Sequence, residues 1–167
     1  MIQILSSKDP VEDLQGEVLI LFHFEDVPAP RGFLGRVDWL LKGRVSHLIS
    51  QGKFNGTTGS ALLLTGNRRV KAEKVLVIGL GKRPLLNKQL LKEGCIRAIE
   101  VLGSLKSGNI IIAPPYETLD SLPWEAMEDF LQDFLWALSE QTPAPDLSLT
   151  ILERDGTSIP SPGRFKY

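Results

Sequence analysis

The chain has one cysteine, Cys95, two histidines, His23 and His47, and no excess of either charge. Each shortage excludes something. A single thiol closes no internal disulfide and builds no cysteine-rich metal site, and it fits a reducing compartment. The two histidines stand far apart, with no His-Glu-x-x-His pattern and no companion at ligand spacing, so each is expected to be structural or at the surface. Lysine plus arginine number 19 against 20 acidic residues, a net charge of −1. That balance gives no global field for nucleic acid or an acidic membrane. Long hydrophobic runs are missing too. The apolar stretch Val75 to Ile78 is far shorter than the ~20 residues of a membrane-spanning helix. At the N-terminus the basic residue, Lys8, follows a short apolar stretch rather than preceding a long one, unlike a secretory signal. A cytoplasmic protein is expected. No serine lies in a Gly-x-Ser-x-Gly turn, and adjacent acids such as Glu12-Asp13, Glu25-Asp26 and Glu128-Asp129 suit solvated positions.

What is present suits one packed domain. The 167 residues are 43% hydrophobic and 23% charged, ordinary values for a globular fold. Short β-rich runs alternate with helical patterns. Glu17 to Phe24, Ala61 to Thr65, Lys74 to Gly79, Asn109 to Ala113 and Leu147 to Leu152 are predicted strands, with Ile2 to Leu5 a candidate sixth. Their near-continuous apolar character implies a sheet covered on both faces. A helix is predicted from about Arg36 to Ser50, with Val37, Leu40, Leu41, Val45 and Leu48 on its inner face. A second spans about Asn87 to Leu105, and its apolar stripe places Cys95 in the core. A third spans about Leu122 to Gln141, with Asp120 or Ser121 as cap and Pro123 in its first turn. Trp124, Met127, Leu131, Phe134, Leu135 and Leu138 form its stripe, and Pro143 and Pro145 end it. Trp136 projects from the opposite, acidic face, and Trp39 points away from the stripe of its own helix. Both are candidate interface residues, because aromatic side chains are enriched at interface centres. The domain is expected to span residues 1–155, with an extended tail over 156–167.

The most suggestive local motif follows the third strand. There Gly79-Leu80-Gly81-Lys82-Arg83 joins strand to helix. Such a turn can hold an anion on its amides, and Gly79, Gly81, Lys82 and Arg83 are the candidate ligand-binding residues. The complete Gly-x-Gly-x-x-Gly spacing is absent, and a tight turn needing positive φ is the competing reading. A second glycine cluster, Gly52 to Gly59, joins helix to strand; it reads as a plain surface connection, with a flexible binding loop that adds to the same ligand site as the alternative. A few cations, Arg68, Arg69, Lys71, Lys74, Lys82 and Arg83, make a small basic edge, but the balanced total charge argues against nucleic-acid binding.

Taken in order, the strand Glu17 to Phe24, the segment Val37-Asp38-Trp39-Leu40, the run Leu48 to Gly59, the run Lys74 to Arg83 and the helix carrying Gly94-Cys95-Ile96-Arg97-Ala98 resemble the N-terminal domain of leucyl (cytosol) aminopeptidases. The resemblance covers roughly residues 1–155. It implies a three-layer α/β/α, macro-domain-like fold with a central mixed sheet. In that family a separate catalytic domain carries two divalent metals, a lysine, acidic ligands and an Asn-Thr-Asp-Ala-Glu-Gly-Arg segment. None of these has a match in this sequence, so no catalytic residue, metal or cofactor carries over, and the chain is expected not to be a peptidase by itself. The resemblance implies an accessory or interaction role, since the family's enzymes are typically hexamers, with a homo-oligomer or another protein as partner. The alternative is a phosphate-bearing small molecule of ADP-ribose or nucleotide type. The glycine-rich diphosphate loop characteristic of macro domains is not found in the sequence.

Overall fold

A computed structural model describes residues 2–116, 124–141 and 146–154. Six strands, β1 (Ile2–Ser7), β2 (Val18–His23), β3 (Ala61–Thr65), β4 (Lys74–Gly79), β5 (Asn109–Ile112) and β6 (Leu147–Leu152), form one sheet. Its spatial order is β1-β6-β5-β2-β4-β3. The five strands from β1 to β4 run parallel, and only β3, at the far edge, is antiparallel to its neighbour. The sheet is therefore mixed, as the resemblance to the aminopeptidase N-terminal domain implied.

Alternate residues of the central strands feed two separate cores. Val18, Ile20, Leu76, Ile78, Ile110 and Ile112 face one side, against helices α3 (Lys88–Leu105) and α4 (Trp124–Gln141). Leu19, Leu21, Val75, Val77 and Ile111 face the other, against α1 (Gly32–Leu40) and α2 (Arg44–Ser50). The result is three layers, α/β/α. Parallel strands need helical crossovers, and these helices are the crossovers: α1 and α2 lie between β2 and β3, α3 between β4 and β5, α4 between β5 and β6.

The helical stripes behave as their spacing predicts. In α3, Leu91, Gly94, Cys95, Ala98 and Leu102 are buried, while Lys92, Glu93 and Glu100 are exposed. Asn87 caps the helix, its side-chain oxygen accepting from the Leu90 N–H at 2.9 Å. The Cys95 thiol is fully buried and donates to the Phe130 carbonyl across the α3–α4 contact at 3.5 Å. In α4, Met127, Leu131, Phe134, Leu135 and Leu138 are buried. The expected cap at Asp120 or Ser121, the position of Pro123, the break at Pro143 and Pro145 and the tail 156–167 lie outside the described residues.

The predicted single helix from Arg36 to Ser50 is corrected. It begins earlier, at Gly32, and it is two helices. The apolar stripe runs on in phase, since Val37, Leu40, Leu41 and Val45 are all buried, but the backbone does not. Lys42 and Gly43 both take positive φ, 59° and 72°. The Gly43 N–H reaches back to the Asp38 carbonyl at 2.8 Å and the Lys42 N–H to that of Trp39 at 3.1 Å, a Schellman ending. Asp38 then starts the next helix. Its buried carboxylate accepts from the N–H groups of Val45 (2.8 Å) and Ser46 (3.1 Å) and from the Ser46 hydroxyl (2.5 Å). One side chain of α1 thus caps α2, whose own flanking residue, Gly43, has no side chain to do so.

Candidate functional site

The glycine turn at the end of β4 is held from every side. The N–H of Gly79 donates to the Ser60 carbonyl, that of Leu80 to His23, and that of Gly81 to Gly56. Gly81 has φ 78°, the positive value that the turn reading required. Gly79 has no room for a side chain: a Cβ there would lie 2.3 Å from the Thr57 carbonyl oxygen and 2.6 Å from the Gly56 carbonyl carbon. The two glycine clusters of the sequence are therefore packed on each other, the 56–60 loop lying across the end of β4. Beyond the turn, Arg83 is engaged by Asp26, whose carboxylate accepts from the Arg83 N–H at 2.9 Å and from its Nε at 3.2 Å. These bonds, the backbone one first, hold the Asp26 carboxyl below its ordinary range. Lys82 is exposed.

In open parallel sheets, ligands settle beyond the carboxyl ends of the strands, where neighbouring connections diverge. Here that point lies between β2 and β5. Phe33 and Leu34 of α1 and Pro114 and Pro115 after β5 close over it, leaving about 10 Å³. That is no more than the room for one water. Among the described residues after β5, 113–116, no amide is left to offer. Pro114 and Pro115 have no N–H, Ala113 donates to Ile20, and Tyr116 donates to Pro114.

A wider cleft, about 940 Å³, opens to one side, beyond the ends of β1 and β6. Its floor is aromatic: Phe33 and the buried Tyr116 lie 6.2 Å apart, and the Tyr116 hydroxyl donates to the Leu152 carbonyl. Its rim is made of ion pairs. Arg36 meets Glu12 at 2.7 Å, and Lys8 meets Glu153 at 3.6 Å. Hydrogen bonding from Arg36 holds the Glu12 carboxyl below its usual range. Sequence reading missed this cleft, because its residues come from four separate segments with no shared spacing.

The adjacent acid pairs converge on no metal. Glu12, Asp13, Asp26 and Asp129 each face a cation, respectively Arg36, Lys71, Arg83 and Lys88. No group of three or more His, Cys, Asp or Glu side chains suited to a metal ion exists among the described residues. His23 is buried at the end of β2, 6.0 Å from the Phe54 ring, and burial pushes its pKa down. His47 is exposed on α2.

Both candidate interface tryptophans stand in the outer layers. Trp136 is 57% exposed on α4 and Trp39 is 65% exposed on α1. The Arg36 guanidinium lies over the Trp39 ring, 5.3 Å from its centroid. The helices that carry the two tryptophans lie on opposite faces of the sheet. No helix among the described residues is long and apolar enough to cross a membrane.

The layers and strand order define a macrodomain-like α/β/α fold. A Trypanosoma brucei macrodomain solved in complex with ADP-ribose superposes with a TM-score of 0.69 at 19% identity, over 92% of this chain and 65% of its own. A mutant of tomato leucine aminopeptidase superposes with a TM-score of 0.68 at 20% identity, over 92% of this chain but 32% of its own. The chain belongs to the cytosol aminopeptidase family: the model of that family's N-terminal domain matches residues 18–129. A probable cytosol aminopeptidase of Nitrosococcus oceani is 37% identical over 75 residues, which is 43% of this chain and 15% of the relative. The chain thus spans less than a third of the length of such relatives.

Proposed function

We propose that this chain is a non-catalytic accessory domain, cytoplasmic in location, that works by protein interaction. The observation that carries this reading is the pair of exposed tryptophans on the outer helices. Aromatic side chains are enriched at interfaces relative to the rest of a protein's surface, so two largely exposed indoles point to surfaces that meet a partner. The match to the N-terminal domain of a larger enzyme family supports an accessory role.

The second reading, a ligand of ADP-ribose or nucleotide type, draws support from the likeness to a macrodomain that holds ADP-ribose. Gly79, Gly81, Lys82 and Arg83 remain its candidate contacts. Against it stand the internal bonds of the Gly79–Gly81 amides and the filled crevice between β2 and β5.

One experiment separates the readings. The purified chain is assayed for hydrolysis of an aminoacyl anilide with added zinc or manganese and titrated calorimetrically with ADP-ribose. Neither turnover nor saturable heat is expected. Turnover overturns the non-catalytic reading, and saturable heat abolished by Lys82→Glu favours the ligand.

A further inference from the structure

The two tryptophan surfaces carry opposite charge. Helix α4 has five acidic residues, Glu125, Glu128, Asp129, Asp133 and Glu140, and no lysine or arginine. Trp136 sits among them, with Asp133 three residues before it and Glu140 four after, the spacings that share a helix face. Asp129 is drawn to Lys88 at 2.9 Å, whereas Asp133 and Glu140 form no salt bridge among the described residues.

The α1–α2 face is the reverse. Its one acid, Asp38, is buried and committed to capping α2. Lys42 and Arg44 are exposed at the turn beside Trp39. The β3–β4 loop adds Arg68 and Arg69, both exposed, and is fastened there by Asn67, whose Nδ2 donates to the Leu40 carbonyl at 3.1 Å. None of these four cations forms a salt bridge with a described acid.

We propose that the acidic Trp136 face of one copy docks on the basic Trp39 face of a second copy, head to tail. The proposal rests on the interaction reading above and names the partner. Charge selects this geometry. A two-fold contact through α4 would set the carboxylates around one Trp136 against those around the other, and one through α1–α2 would set cations against cations; both are repulsive. Only the heterologous contact pairs the charges and covers both rings, with a guanidinium of the basic face available to the Trp136 indole as Arg36 is to Trp39. Such a contact leaves one free face at each end, so it extends into a ring or an open chain rather than stopping at a dimer. A nucleic acid on the basic face would leave the Trp136 face unused.

The test uses charge reversal on the whole chain, read by light scattering at rising protein concentration. One variant carries Glu125→Lys, Asp129→Lys and Glu140→Lys, the other Arg44→Glu, Arg68→Glu and Arg69→Glu, all at exposed positions. Circular dichroism confirms the fold of each. The wild type is expected to gain mass with concentration and to lose it in high salt, because exposed pairs are screened. Each variant alone should be monomeric, since both its faces then carry the same net sign. Mixing the two should restore association, because every face then finds its opposite. Trp136→Ser, which leaves the charges in place, should weaken self-association roughly tenfold or more. A wild type that stays monomeric overturns the proposal while leaving the non-catalytic reading to its own assay. So does a variant that still self-associates, or a mixture that does not. Salt-sensitive binding of a single-stranded oligonucleotide by a monomeric wild type would assign the basic face to nucleic acid instead.

Discussion

Removing the Asp38 carboxylate tests the local logic that builds the basic face. The side chain is buried and accepts from two backbone N–H groups and one hydroxyl. In Asp38→Ala the Val45 N–H, inside a fully buried residue, loses its partner, and so does the first turn of α2. A hydrogen bond to a charged acceptor contributes about 1.5–3 kcal/mol, and a lost helix cap costs about 1 kcal/mol. The contributions overlap, because capping is itself made of these bonds, so the expected loss is about 3 kcal/mol. For a chain of this length that lowers the melting temperature by roughly 6–12 °C. Asp38→Asn keeps one acceptor oxygen and should lose about half as much. Urea unfolding followed by circular dichroism measures both. Because Lys42 and Arg44 flank the turn, Asp38→Ala should also weaken self-association below its melting temperature. A loss under about 0.5 kcal/mol for the alanine variant would refute the capping argument, since that is the range of an ordinary surface substitution.

Gly79→Ala should destabilise by about 3 kcal/mol in the same assay, because the new Cβ meets backbone at 2.3 and 2.6 Å, and backbone cannot swing aside. Gly59→Ala, at φ 80° but with nothing within 4 Å, should cost only about 1 kcal/mol of conformational strain; equal losses would sink the close-contact explanation. His23 is held neutral by burial, its pKa below the ordinary 6.5. The unfolded chain therefore binds that proton first, and stability is expected to fall as pH drops below about 6.5, before the carboxylates titrate. His23→Gln should flatten that portion of a stability–pH curve, and an unchanged slope would contradict it. The Cys95 thiol is buried, with its pKa pushed well up by desolvation. It should resist a thiol reagent in the native protein and react completely in denaturant; rapid native labelling would place it outside the core.

The sheet was legible in the sequence because its signal is local. Continuous apolar runs such as Val18 to Leu21 and Val75 to Ile78 can form only where both faces are covered, and the structure gives each face its own core. The helical stripes carried the same kind of information, including the burial of Cys95 and the outward positions of Trp39 and Trp136. The division of the first helix was less legible. Its stripe stays in phase across Lys42 and Gly43, and the deciding group is a carboxylate four residues upstream, whose reach is visible only once the chain has turned.

Periodicity alone thus determined which residues face inward, that strands and helices alternate, and that two indoles would be left outside. Tertiary structure decided what the chain can offer a partner. Only folding spent the glycine-turn amides on the 56–60 loop, closed the crevice between β2 and β5 with side chains from two distant segments, and fastened the loop that carries Arg68 and Arg69 to the end of α1. The physical reason is range. Hydrophobic period is written within a few residues, whereas hydrogen-bond satisfaction, free volume and surface charge depend on groups that lie far apart in sequence and meet only in the folded chain.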